Sequence, residues 1–141
     1  MIRLFDTSRL SVDEAFLNIP EAEQRALYDD VLEILTPSVV ENLPGYFHNI
    51  KSTAAAARWL ERMTSESRLF IVRLKPDGDV IGFVFIYSDN LDAHIGYLLG
   101  EFFWGLGFAK ELLSALILWC QQNARWSRLI GGVDITNVRS S

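Results

Sequence analysis

Near residue 67 the spacing of apolar residues changes character. Upstream they recur every three or four positions. Leu27, Val31, Ile34 and Leu35 share one face of a helix running from Pro20 to about Leu35, and Pro20 suits its first turn. Thr36-Pro37 reads as the cap and start of a further short turn, and Leu43-Pro44-Gly45 as a break. Ser52 is placed to cap a helix through Ala54-Ala55-Ala56-Ala57 to about Met63, since alanine has the highest helix propensity. Downstream, Arg68–Leu74, Val80–Tyr87 and Ala93–Leu99 are rich in β-branched and aromatic residues and read as strands. The turns between them are Pro76-Asp77-Gly78-Asp79 and Ser88-Asp89-Asn90. Short turns predict an antiparallel meander.

Two further segments complete the pattern. Residues Met1 to Leu10 read as a short first strand, and Ser11-Val12-Asp13-Glu14 as a capping box. Ser11 would cap, Glu14 would reach back, and a helix of about two turns is expected to follow. Towards the end, Ala109–Gln122 carries Leu112, Leu113, Leu116, Ile117 and Cys120 on one helical stripe. Leu118 and Trp119 widen that arc, so this helix is expected to be covered on most of its surface. A strand follows over Arg128–Ile135. Strand, helix and strand form a crossover, which makes the two strands parallel. The expected fold class is α+β: an antiparallel meander leading into a β-α-β crossover, with a central mixed sheet and helices on both faces.

Composition narrows the field. The 141 residues suffice for one domain, 1–141, burying roughly two-thirds of its unfolded surface. Half are hydrophobic and 22% are charged, a globular balance rather than a disordered one. Mean hydropathy is +0.16, which points to a sticky surface, an oligomer or a missing piece. A net charge of −5 argues against nucleic acid, whose phosphates need a basic face. It is compatible with a cationic acceptor. The lone cysteine, Cys120, excludes an internal disulfide and suits a reducing cytoplasm. Arg3, Asp6 and Arg9 break up any signal-peptide pattern. Lys110 and Glu111 interrupt the best apolar stretch, so no membrane span or membrane partner is expected.

The chemistry concentrates in Trp104-Gly105-Leu106-Gly107-Phe108-Ala109, between a strand and a helix. Glycines let the main chain turn sharply and approach a ligand with no Cβ in the way. The first helical N–H groups lack intrahelical partners, and the helix dipole adds partial positive charge there. A phosphate or pyrophosphate fits such a place. A dinucleotide-binding oxidoreductase is a poor match. Lys110 stands where its third glycine belongs and a meander precedes the loop, although Asp134 lies downstream.

The order of these elements resembles the GCN5-related N-acetyltransferases (the GNAT family), and within it the RimJ/RimL type. Thr7-Ser8-Arg9-Leu10 resembles the family's opening strand, Ala57-Arg58-Trp59-Leu60 the helix before the sheet, and Val80-Ile81-Gly82-Phe83 the second meander strand. Ile95-Gly96-Tyr97-Leu98-Leu99 and Phe103-Trp104-Gly105-Leu106-Gly107-Phe108-Ala109-Lys110-Glu111 resemble the cofactor strand and pyrophosphate loop. Asp134-Ile135-Thr136-Asn137-Val138-Arg139-Ser140 resembles the segment after the next strand. The likeness implies acetyl-coenzyme A as co-substrate and a primary amine as acceptor, either a protein N-terminus or a small molecule. Main-chain N–H groups from about Gly105 to Lys110 (Leu106, Gly107, Phe108 and Ala109 among them) would hold the pyrophosphate, with Trp104 at the loop's first position. Leu106 stands where a lysine is common, so one phosphate-facing charge is absent. The main chain of Tyr97, Leu98 and Leu99 would pair with the pantetheine arm, and Asn137 would touch the same arm.

The likeness further implies direct attack by the amine. The ammonium must first lose a proton, and the developing oxyanion needs a preset donor, for which an N–H near Leu98 is the family's choice. His94 is the candidate base. It shares a strand face with Gly96 and Leu98, and imidazole titrates near neutrality. The competing reading is a surface histidine satisfied by water. Asp92 is a weaker substitute. Ser140 matches the serine that would protonate the leaving thiolate, or else caps a following helix. Cys120 reads as a packed core thiol, Trp104 as a wall of the loop and Tyr97 as core. His48 and His94 lack metal-ligand spacing, so no zinc is expected. The family's usual C-terminal helix and last two strands are not found in the sequence. A truncated domain is therefore expected, whose open sheet edge drives a homo-oligomer or swapped dimer. A catalytically crippled module that binds coenzyme A or a protein partner is the alternative.

Overall fold

The computed structural model describes residues 1–123 and the backbone of 128–131. One sheet organises the molecule, with strands in chain order: β1 (Ile2–Asp6), β2 (Leu10–Glu14), β3 (Arg68–Leu74), β4 (Asp79–Asp89), β5 (Asp92–Leu99) and β6 (Arg128–Gly131). All neighbours are antiparallel except β5 and β6, which run parallel as a crossover requires. The helices are α1 (Glu21–Ile34), the short α2 (Pro37–Val40), α3 (Thr53–Glu66) and α4 (Phe108–Asn123). Ser52 caps α3 as its sequence predicts, accepting from the Ala55 N–H at 3.1 Å.

Strand alternation splits the core into two layers. Phe70, Val72, Val84, Tyr97 and Leu99 face α4, where Leu112, Leu116 and Cys120 meet them. Leu69, Ile71, Phe83 and Leu98 face α1 and α3, against Val31, Trp59 and Leu60. The register slips by one residue between β3 and β4, opposite Val72 and Arg73. As a result Ile81 joins the α4 layer while Phe83, two residues on, joins the other. Gly82 sits at that slip, where a Cβ would lie 2.3 Å from the Leu98 carbonyl oxygen. Only glycine permits β4 and β5 to close so tightly there.

Several expectations need correction. Ser11–Glu14 does not cap a helix; it is the inner part of β2, paired on both sides. Its acidic residues are engaged by basic ones from neighbouring strands: Asp13 by Arg3 and Arg73, Glu14 by Arg68. Leu10 and Val12 are fully buried on the α4 face, so a period of two overrides the cap signal. Thr7-Ser8-Arg9 is the turn between β1 and β2 rather than a strand, and Leu10 opens β2. The β4–β5 turn falls at Asn90-Leu91, later than Ser88, because cross-strand pairing continues to Asp89 and Asp92. Helix α4 is not covered on most sides: Ile117 and Leu118 are 43% and 55% exposed. Of the strand expected over Arg128–Ile135, the part beyond Gly131 lies outside the described residues, as do Asn137 and Ser140.

Candidate functional site

The loop between β5 and α4 turns on two glycines with left-handed backbone, Gly105 at φ +74° and Gly107 at φ +81°. Neither conformation suits a residue with a Cβ. The helical ladder begins with the Glu111 N–H donating to the Gly107 carbonyl at 3.1 Å. The N–H groups of Phe108, Ala109 and Lys110 precede that bond and have no intrahelical acceptor. Gly105, Leu106 and Lys110 are exposed, Gly107 is half-buried, and Phe108 and Ala109 pack into the core. Trp104 walls the loop: its Nε1 donates to the Leu99 carbonyl at 2.9 Å and its ring touches both core layers. The loop is thereby fixed to the end of β5.

A side chain from the far end of the sequence braces the other side. Arg9, in the β1–β2 turn, donates from Nη1 to the Leu106 carbonyl at 3.1 Å, and its guanidinium lies 4.2 Å over the Phe108 ring. Its Nε donates to Glu111 at 2.7 Å. Leu106 leaves the loop short of one cation; Arg9 places another beside Gly107, with Nη2 3.5 Å from where a Cβ would stand. Burial alone would raise the Glu111 carboxyl. Hydrogen bonds from the Thr7 hydroxyl and from Arg9 outweigh that effect and hold it below the ordinary carboxylate range. No sequence signal pointed to this brace, because its partners are far apart in the chain.

Strand β5 carries the remaining candidates. It pairs with β4 along its whole length, and the described part of β6 pairs with it from Asp92 to Ile95. Past Ile95, a cavity of about 720 Å³ opens against Gly96, Tyr97 and Leu98. Its walls come from β4, from the end of α3 and from the segment around Tyr46 and Phe47. The size is that of a small-molecule cleft. Tyr97 is buried in the α4 layer, and Leu98 faces the opposite layer. His94 is half-buried and pairs in register with Tyr87, its ring tilted 39° to that phenol with centroids 6.0 Å apart. Tyr87 lines the cleft and His94 stands beside it. Asp92 is at the far end of the strand. Cys120 is buried, and burial pushes its thiol up, opposed by Arg68; that is the reverse of an activated nucleophile. His48 has its Nε2 2.8 Å from the Leu43 carbonyl oxygen and lines a different cavity, with Pro37 and Asn49. Among the described residues, no helix is long and apolar enough to cross a membrane.

The site thus combines a glycine loop and helix-start amides that have no intrahelical acceptor, the end of strand β5, and an apolar cleft. A diphosphate, an extended arm and a small acceptor would each find a fitting surface. Comparison with known proteins agrees. A family model described as an acetyltransferase (GNAT) domain matches residues 22–141. No curated protein matches the chain. Among solved structures, the fold is similar to the ribosomal L7/L12 α-N-protein acetyltransferase RimL in complex with coenzyme A. That match has a TM-score of 0.71 and 17% identity, covering 92% of this chain and 73% of that one. It is similar to the ribosomal-protein-S5-alanine acetyltransferase from Vibrio fischeri, with TM-score 0.60 and 16% identity over 93% and 73% of the two chains. It also resembles the microcin C7 self-immunity acetyltransferase MccE in complex with acetyl-CoA and AMP, with TM-score 0.69 and 17% identity over 96% and 79%.

Proposed function

The chain belongs to the GNAT acetyltransferase family, and on that premise we propose that it moves an acetyl group from acetyl-coenzyme A to a primary amine. The observation that carries this reading is the loop at the head of α4, where two left-handed glycines precede amides with no intrahelical acceptor. The residues present fit the co-substrate: a Cβ at Gly105 or Gly107 would strain the cradle, and Arg9 and Lys110 flank it with positive charge. When bound, acetyl-coenzyme A supplies the activated acyl thioester.

The protein's own groups then have several tasks. Amides from Gly105 to Lys110 hold the diphosphate, and Tyr97 to Leu99 orient the arm along β5. An N–H near Leu98 stabilises the developing oxyanion. His94 takes a proton from the acceptor ammonium, through a water in the space beside Tyr87, since the imidazole stands behind that phenol rather than in the cleft wall. Asn137 and Ser140 keep the roles expected of them, contact with the arm and protonation of the thiolate. We read residues 1–141 as one such domain, and self-association through the outer edge of β6 belongs to the same reading.

Calorimetry with acetyl-coenzyme A, followed by thiol release on a panel of amines, tests the assignment. Binding with turnover supports it; absence of binding rejects it. The position of His94 beside, not in, the cleft wall favours a second reading, a module that binds coenzyme A without turnover. Saturable binding with no thiol release on the whole panel would select that one.

A further inference from the structure

The cleft beside β5 is nearly neutral although the protein is acidic. The chain carries a net charge of −5, and Glu66 is the sole charged side chain lining this cleft among the described residues. Arg62 neutralises it, with Nε 3.0 Å from Glu66 Oε2. The same guanidinium lies 3.7 Å over the Tyr46 ring, which in turn packs 4.8 Å from Phe47. Charge is therefore cancelled at the mouth, and the wall is Tyr46, Phe47, Met63, Phe85, Tyr87 and Leu98.

From this neutrality we infer that the acceptor is a monoamine on an apolar body of aromatic size, and not a diamine or polyamine. The inference rests on the acetyl-transfer reading above. One ammonium is dealt with by the reaction, because it must be deprotonated to attack. A second ammonium would enter an apolar cleft with no free counter-charge among the described residues, and desolvating an unpaired charge is costly. An apolar body gains instead from the area it removes from water. An aromatic body gains further from edge and stacked contacts with Tyr46, Phe47, Phe85 and Tyr87. The overall acidity of the chain is thus a poor guide to its acceptor. A free arylalkylamine and a peptide α-amine followed by apolar side chains share this chemistry.

The test is a panel on the full chain with acetyl-coenzyme A: phenethylamine, a Phe-Leu dipeptide amide, putrescine and spermidine. The two monoamine arms separate a small-molecule acceptor from a peptide. Thiol release gives kcat/KM, and saturation-transfer NMR with coenzyme A present ranks binding independently of turnover. The expected preference for the aromatic monoamines over the polyamines is on the order of tenfold or more in both measurements. A flat ranking, or one led by polyamines, overturns the inference.

Arg62→Gln exposes the Glu66 carboxylate and should raise the putrescine-to-phenethylamine ratio by roughly two- to five-fold, the range of an exposed ion pair. Arg62→Gln combined with Glu66→Gln should return the ratio to that of the wild type. An unchanged ratio in the single variant overturns the assigned role of the pair. Calorimetry with acetyl-coenzyme A on the same samples keeps the failures apart: lost cofactor binding indicts the acetyl-transfer reading, whereas retained binding with polyamine preference indicts this one.

Discussion

The Arg9 guanidinium and the Glu111 carboxylate, 102 positions apart in the chain, meet at 2.7 Å. Glu111 also accepts from the Thr7 hydroxyl and from the Arg9 N–H at 2.9 Å. One carboxylate at the head of α4 therefore organises the β1–β2 turn, and that turn returns a guanidinium to the Leu106 carbonyl. The glycine loop is clamped from both ends, by Arg9 at its α4 end and by Trp104 at its β5 end. A preorganised loop spends less of its binding energy on ordering when a ligand arrives.

Replacing Glu111 by alanine should cost about 1–3 kcal/mol of stability, since several hydrogen bonds to a charged group go at once. The carboxyl is depressed in the fold, so its contribution is present above its unfolded pKa, near ~4.3, and disappears as pH falls through the folded value. Urea unfolding at neutral pH and in acid checks both the size and the sign. The wild-type advantage should be full at neutral pH and vanish in acid; an advantage that grows in acid would contradict the clamp.

Gly105→Ala and Gly107→Ala should each lose about 1–2 kcal/mol, the cost of a Cβ in left-handed backbone. The added Cβ at Gly107 meets Arg9 Nη2 at an ordinary contact distance of 3.5 Å, and that at Gly105 meets nothing. The two costs should therefore be similar and come from the backbone. Acetyl-coenzyme A affinity, read by calorimetry, should fall by about tenfold in each, equivalent to ~1.4 kcal/mol.

Gly82→Ala is a different case, with no unusual φ. Its Cβ would stand 2.3 Å from the Leu98 carbonyl oxygen and 2.7 Å from Leu99 Cδ2, so β5 must move. Overpacking against backbone should cost about 3 kcal/mol or more, seen as a lowered Tm. The same shift displaces the strand proposed to orient the arm, so cofactor binding should weaken in parallel.

His94→Ala should lower kcat by about 10²-fold or more, the lower end of what a positioned base supplies, and leave acetyl-coenzyme A affinity unchanged. Thiol release and calorimetry on one preparation separate the two quantities. An unaltered kcat removes His94 from the mechanism and returns it to the role of a packed neighbour of Tyr87.

Asp30 lies away from the cleft, in an acidic cavity shared with Glu33, Asp79 and Glu101. Burial, opposed by Arg73 and aided by Glu33, Asp29 and Asp79, pushes its carboxyl up to about 6. A carboxyl raised in the fold stabilises below its unfolded pKa, near ~3.9, and that benefit is lost as pH rises through about 6. Asp30→Asn should therefore raise Tm at neutral pH and make little difference in acid. A lowered Tm at neutral pH would show that the charged form is the one the fold accommodates.

Local patterns carried most of the architecture into view. The stripe of Leu27, Val31 and Ile34, the Ser52 cap, the β3 run from Arg68 to Leu74 and the glycine loop before α4 each depend on neighbours within a few positions, where periodicity and propensity act. Ser11–Glu14 misled for the same reason. Its residue types cap a helix in isolation, yet Arg3, Arg68 and Arg73 claim its carboxylates once strands from both sides assemble. The Arg9–Glu111 clamp, the close approach at Gly82 and the seating of Arg62 over Tyr46 were decided by tertiary structure. Each joins segments whose separation in sequence bears no relation to their distance in space. The chain by itself determined most of the segments that become strands and helices, and the glycine turn at the head of α4. Pairs such as Arg62 and Glu66 are four residues apart on one helix and follow from local spacing. Sheet assembly and side-chain packing decided the pairing of Arg9 with Glu111, of Arg3 and Arg73 with Asp13 and of Arg68 with Glu14, because those depend on long-range contacts that no local period encodes.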